Sequence, residues 1–184
     1  ALYIAPFATV FLFLALWPRL PIDPVWAWPV TVLVGGAVCV ICWPRELSIL
    51  PALWPASVAI GAAVFVLWIA PDLLFPHYRG SAVFSNAIFG QVHSSLPAQA
   101  LHNPWVLAWR TARAVLIVPV AEELFWRGWL LRWLTDSNFQ KLPLGACSSF
   151  AFWITAALFA SEHGPYWDVG LVTGPNLGHR APTS

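Results

Sequence analysis

The sequence predicts an all-α protein, a polytopic transmembrane helix bundle with about five spans in its 184 residues. Three observations lead there. Hydrophobic residues make up 59% of the chain and charged residues only 9%, with a mean hydropathy of +0.70. Soluble domains carry about 25% charged residues, so polar surface is too scarce here to cover a globule in water, and the implied partner is the lipid bilayer. Apolar stretches of near-spanning length divide the chain, about 20 residues being needed for a bilayer core of ~30 Å. Tryptophan is abundant, at 13 residues, and it gathers near the ends of those stretches, as amphipathic rings do at a membrane–water boundary. The formal net charge of +1 offers no electrostatic basis for binding nucleic acid.

The first stretch, Leu2–Trp17, ends in a turn rich in helix breakers: Pro18, Arg19, Pro21, Asp23 and Pro24. No basic region precedes it and no small-residue cleavage site follows, so it does not read as a signal peptide. Absence of any Met, even at position 1, leads us to expect a cut N-terminus. The second stretch, Val25–Trp43, is closed by Pro44, Arg45 and Glu46; the third, Leu53–Ala70, by Pro71 and Asp72. None of the three contains a charge, and Trp17, Trp26, Trp28, Trp43, Trp54 and Trp68 lie at or near their ends. Cys39 and Cys42 share a C-x-x-C spacing but have no second pair, and they read as plain apolar helix residues.

Residues Asp72–Pro104 form a polar connector, a loop or short interfacial helix. His77, His93 and His102 lie in it at irregular spacing, which suits solvated loop histidines better than a metal site. The fourth helical region, about Trp105–Leu134, carries Arg110, Arg113, Glu122, Glu123, Arg127 and Arg132. At 1.5 Å per residue it extends roughly 45 Å, so it must tilt, kink or leave the bilayer, and Pro119 offers the kink. The fifth stretch, about Leu142–Ala160, ends at Glu162, His163, Gly164 and Pro165. Beyond it Val169–Thr173 is too short for a sixth span, and basic residues on both sets of connections leave the orientation open.

Charge inside these stretches is the informative feature. An acidic residue at mid-membrane costs on the order of 2.5–3.5 kcal/mol on insertion scales, and Glu122 and Glu123 are adjacent. Successive helical residues point ~100° apart, so the two carboxylates cannot aim at one spot. Glu123 and Arg127 are four apart and suited to pair on one face, which leaves Glu122 facing elsewhere. A structural reading is available: an ion pair that steadies the helix, plus a carboxylate at its end. It weakens once Glu162 and His163 are counted, with Phe159 one turn before the histidine. A short link, Thr135–Lys141, predicts that the fourth and fifth helices are antiparallel neighbours, which would return His163 toward the level of the Glu pair. Such a pair suits hydrolysis: Glu as general base on a water, His holding or polarising that water. Low dielectric raises the pKa of a carboxyl group without a compensating cation toward operating pH. A metal with His163 and a Glu among its ligands is the other option, though two or three ligands at these spacings are too few to assert one, and no His-Glu-x-x-His motif occurs.

Glu122-Glu123-Leu124-Phe125-Trp126-Arg127-Gly128, followed by Phe159-Ala160-Ser161-Glu162-His163, resembles the paired motifs of the CPBP family of intramembrane peptidases. That family includes the type II CAAX prenyl endopeptidases and bacterial proteins linked to bacteriocin immunity. Its first motif is two glutamates, three variable residues and an arginine; its second is an aromatic residue with a histidine four later. The likeness covers about Val106–Gly164, and Glu162–Gly170 leans toward bacterial CAAX prenyl protease-related members associated with exosortase systems. By resemblance, Glu122 would activate the hydrolytic water and His163 would help hold it. Glu123 and Arg127 would shape and brace the site, and Phe159 would pack beneath it. The resemblance also implies a peptide or protein substrate and a multi-pass location in a bacterial inner membrane. It is compatible with a divalent metal such as zinc and equally with a metal-free glutamate mechanism.

The family's third motif, a histidine with Asn or a similar residue four later, finds only His179 and Thr183 in a polar, Pro-containing tail. Residues 1–174 are therefore expected to form an incomplete CAAX-protease-like transmembrane domain, with 175–184 a polar tail. The chain is expected to be truncated or frame-shifted after about Gly174 and, as it stands, to lack peptidase activity for want of oxyanion stabilisation. The main alternative is a non-enzymatic immunity or assembly factor on the same scaffold. A transporter is disfavoured by the absence of visible repeats or broken-helix pairs, and a serine mechanism by the absence of a Gly-x-Ser-x-Gly elbow.

Overall fold

Several helices in this chain start where a side chain accepts from the first amide groups, which have no partner within the helix. The computed structural model describes residues 2–45, 47, 54–75, 77–86, 100 and 102–173, and among them it is helical without strands. Helix α1 is Ala5–Leu16. Helix α2, Pro24–Ile41, is capped by Asp23, which accepts from the Val25 amide, and Pro24 supplies the fixed φ of a first turn. Helix α3 is Trp54–Leu74. Asn103 caps α4, Pro104–Ala112, accepting from the Trp105 and Val106 amides.

From α4 the chain stays helical to Thr135 but changes winding twice. A π-helical turn at Arg113–Ile117 precedes α5, Val118–Glu122. A second π segment, Glu123–Leu130, leads into α6, Leu131–Thr135. The first turn has a clear cause. Pro119 has no N–H, and its ring crowds the carbonyl four residues back, that of Val115. The wider turn lies over that carbonyl, so the irregularity expected at Pro119 falls just before it.

Ser148 caps α7, Ser149–Glu162, accepting from Ala151, and α8 is Trp167–Thr173. Within the expected fifth stretch, Leu142–Ala160, the helix therefore starts later than the hydropathy suggests. Leu142–Ser148 is not helical, because Pro143 and Gly145, the latter at φ 84°, hold it in turns. The remaining 14 residues reach about 21 Å at 1.5 Å per residue, short of a bilayer core.

Among the described residues one helix, Pro24–Ile41, is long and apolar enough to cross a membrane. Ala5–Arg19, Val58–Leu74 and Ser149–Glu162 are shorter apolar helices. Their packing is inside-out relative to a water-soluble helix. In α2 the buried residues Ala27, Thr31, Gly35 and Cys39 recur every fourth position, while Trp26, Leu33, Val40 and Ile41 are exposed. In α7 the buried set is Ala151, Thr155, Ala156 and Ala160, while Phe150, Trp153 and Leu158 are exposed. Small residues inward and large apolar residues outward is how helices associate in lipid, where hydrophobicity drives nothing and close approach does.

The described elements fall into two units, each treated by itself: Ala1–Glu46 with Ser94–Leu144, and Leu47–His93 with Gly145–Ser184. In the first, α2 packs on α1, on α4 and on the turn at Arg113–Ile117, and α1 packs on α5. Val10, Cys39, Ile117 and Ala121 form its core. At Gly35 an added Cβ would lie 2.9 Å from Ile117 Cγ2, so glycine lets the two elements approach without displacing that side chain. Trp17 Nε1 donates to the Thr31 hydroxyl at 2.6 Å, tying the end of α1 to the buried stripe of α2. In the second unit α7 packs on α8, and α3 also touches α8.

Candidate active site

The acidic motif sits where α5 gives way to the second π segment. Glu122 is the last residue of α5 and half-buried; Glu123 opens the wider turn and is exposed. Arg127 Nη1 lies 2.6 Å from Glu123 Oε2, so the pairing expected from the four-residue spacing is present. Short π segments inside α-helices recur at functional sites, and this one is braced from α1. Phe7 stacks on Phe125 at 4.0 Å and meets Trp126 edge-on at 5.7 Å. Gly128 lets Tyr3 come close: an added Cβ would lie 2.7 Å from Tyr3 Cδ1.

His163 ends α7 as its C-cap, with its amide bonded to the Ala160 carbonyl at 3.1 Å. Gly164 follows at φ 53°, the left-handed residue that terminates a helix cheaply. The imidazole Nδ1 lies 2.7 Å from the Phe159 carbonyl oxygen. A carbonyl only accepts, so Nδ1 carries the proton and the neutral ring keeps its lone pair on Nε2. Phe159 also flanks the ring, its centroid 4.5 Å away. Trp68 meets it edge-on at 5.5 Å. Gly170 of α8 makes room: an added Cβ would stand 3.2 Å from the Ala160 Cα and 3.3 Å from the His163 ring. Burial pushes the His163 pKa below its ordinary value, with the Phe159 hydrogen bond opposing but not reversing the shift.

Beside this histidine the same unit contains a buried ionic cluster. Arg79, only 6% exposed, lies 2.8 Å from Asp72 and 2.9 Å from Asp168, and donates to the Pro165 carbonyl at 2.7 Å. The Tyr78 hydroxyl donates to Asp168 at 3.1 Å. Burial works against the Arg79 charge, but the hydrogen bonds and charges of Asp168 and Asp72 outweigh it and hold the pKa above its usual value. The sequence reading missed this cluster, having treated 72–104 as a plain polar connector. An arginine that pairs with one aspartate across a turn seven residues back and another 89 residues on carries no helix-spacing signal. Trp68 also differs from its expected role, because its ring packs on His163 and Tyr166 in addition to lying near a helix end.

The two motifs thus occupy separate units, Glu122, Glu123 and Arg127 in the first, Phe159 and His163 in the second. Among the described residues no three His, Cys, Asp or Glu side chains gather as a metal-ligand set. His77 and His102 are exposed, while His93, His179 and Thr183 lie outside the described residues.

The first motif supplies carboxylates and the second an imidazole, each on a helix with outward apolar side chains. Residues 103–177 match the family of type II CAAX prenyl endopeptidases described as Rce1-like. This is a family of membrane proteases, the one that the paired motifs resemble, and the matched segment contains both motifs. Searches of curated proteins and of solved structures find no match.

Proposed function

We propose that this chain forms a multi-pass membrane endopeptidase of the CAAX type, with Glu122 as general base and His163 as the residue that holds the hydrolytic water. The match over residues 103–177 carries the reading, because it spans both motifs in order. The local chemistry supports it. With Nδ1 donating to Phe159, Nε2 of His163 is the ring's acceptor and takes one hydrogen of a water. Glu122 takes a proton from that water as its oxygen attacks the peptide carbonyl, then returns it to the leaving amine as the C–N bond breaks. Glu123 and Arg127 neutralise each other and set the helix turn that presents Glu122. The donor set gives no ground for routing a step through a metal; were one bound, His163 and Glu122 are the residues that would hold it, and it would supply Lewis-acid polarisation.

The substrate is a peptide or protein met at the bilayer, and the family match together with the span-length apolar helix α2 supports a location in a bacterial inner membrane. Residues 1–184 contain no acceptable third motif, His179 and Thr183 lying in a polar, Pro-containing stretch, so weak oxyanion stabilisation, and little turnover by these residues alone, is expected. The test is cleavage of an internally quenched peptide ending in a prenylated CAAX box. It compares the chain with a version joined to the third-motif helices of a family member. Turnover should appear in the joined protein. Glu122→Gln should lower it by about 10²–10⁴-fold, and the double variant with His163→Ala should be little slower than the worse single one. Cleavage indifferent to Glu122→Gln removes the mechanism. Robust turnover by the short chain removes the part assigned to the third motif.

A further inference from the structure

Four side chains of the second unit are layered in sequence. The Arg79 guanidinium carbon lies 4.2 Å from the Tyr166 ring centroid. Tyr166 is parallel to Trp68, at 6° and 6.1 Å. Trp68 meets His163 edge-on, at 83° and 5.5 Å. The anchor of this stack is fixed from three sides, by Asp72 at the end of α3, by Asp168 in α8 and by the Pro165 carbonyl two residues past the histidine. A guanidinium can do this and an ammonium cannot, because its planar fork bonds several acceptors while its face lies on a ring.

We propose that Arg79 is a positioning residue for His163, acting through the Tyr166 and Trp68 rings to hold the imidazole in the orientation in which Nδ1 reaches the Phe159 carbonyl. This rests on the peptidase reading only for its consequence in catalysis; the positioning itself is a property of the fold. Without the stack, the histidine follows Ser161 and Glu162 at the fraying end of a helix, next to a left-handed glycine. There the bond to Phe159 is one of several rotamers open to the ring. With it, the Trp68 and Phe159 rings and the Gly170 backbone restrict the imidazole to one.

The test uses the full chain in detergent micelles with ¹⁵N-labelled imidazole, read by the nitrogen chemical shifts that distinguish Nδ1–H from Nε2–H. The wild-type His163 signal, assigned by its loss in His163→Ala, should show one tautomer, protonated on Nδ1. Arg79→Lys keeps the charge but loses the fork, and should give averaged shifts from mixed tautomers. Should Arg79→Lys fail to fold, Tyr166→Leu takes out the middle of the stack and leaves every Arg79 hydrogen bond in place; it should have the same effect, while Tyr166→Phe keeps the ring and should match wild type. In the peptide assay on the joined protein Arg79→Lys should lower kcat by about tenfold to a hundredfold with KM unchanged, the signature of a displaced reacting group. A single Nδ1–H tautomer retained in both Arg79→Lys and Tyr166→Leu overturns the proposal. Mixed tautomers in those variants, with cleavage indifferent to Glu122→Gln, leave the positioning standing and remove the peptidase reading.

Discussion

Arg127 and Arg79 each pair with carboxylates, and the two pairs differ in nearly everything else. Arg127 meets Glu123 four residues away along one continuous helix, and the Glu123 side chain is 56% exposed. Arg79 is 6% exposed and meets Asp168 across 89 residues of sequence. The first pair is made by helix geometry and would form in almost any context that keeps the helix. The second exists only once α3, the connector and α8 are assembled. One ornaments an element; the other holds elements together.

The largest effect should come from breaking the assembled pair. Removing Arg79 as Arg79→Met leaves Asp72 and Asp168 facing each other's charge without a cation, and loss of one partner from a buried ionic group costs about 3–5 kcal/mol. Thermal denaturation in detergent should record it as a strongly lowered midpoint, and Asp168→Asn should recover part of the loss in the double variant. If Arg79→Met melts like wild type, the cluster is not holding the unit.

Gly170→Val ranks next. A Cβ at this position would lie 3.2 Å from the Ala160 Cα and 3.3 Å from His163, tight contacts against backbone and a packed ring that have little room to give, and valine adds two methyl groups beyond it. Overpacking of this kind costs typically about 1–3 kcal/mol. The same denaturation series checks it. Gly61→Val is its control, because nothing lies within 4 Å of a Cβ there.

A third prediction concerns pH. The folded state lowers the His163 pKa through burial, so the unfolded chain takes up a proton first, near the ordinary value of about 6.5. The neutral ring's contribution to stability is therefore fully present above that value and fades as pH falls through it toward the folded pKa. Wild type should lose stability over this window relative to His163→Gln, measured as midpoints at a series of pH values. Equal slopes for the two proteins would mean that the ring is not held in the environment described.

The same contrast explains how much of the molecule could be read from its residues. The helical class, the ends of α1 and α2 and the Glu123–Arg127 pair follow from hydropathy, breakers such as Pro18 and Pro44, and a spacing of four. All of that is information carried within one or two turns. The π segments were not legible: the first depends on where Pro119 forces a carbonyl aside, and the second lies among the Phe7 and Tyr3 contacts from α1, which are distant in sequence. Neither was the late start of α7, where Leu142 and Leu144 keep the hydropathy high although Pro143 and Gly145 keep the backbone in turns. Arg79, Tyr166, Trp68 and Gly170 form the surroundings of His163 through contacts between α3, the connector, α7 and α8, and no local pattern announces such a set. The motif histidine was visible; what orients it was not.

Arg127→Ala closes the comparison with the smallest effect. Exposed pairs four apart on a helix are worth about 0.3–0.5 kcal/mol, since water competes for both charges and ordering two long side chains costs entropy. The bracing rings on Phe125 and Trp126 do not depend on the guanidinium, so the π segment should persist, and the midpoint should move by no more than a degree or two. Activity is the sharper readout. If Arg127 serves the site by neutralising Glu123, Arg127→Lys should retain most turnover in the joined protein and Arg127→Ala should lose more. A stability loss in Arg127→Ala as large as that of Arg79→Met would erase the distinction between the local pair and the assembled one.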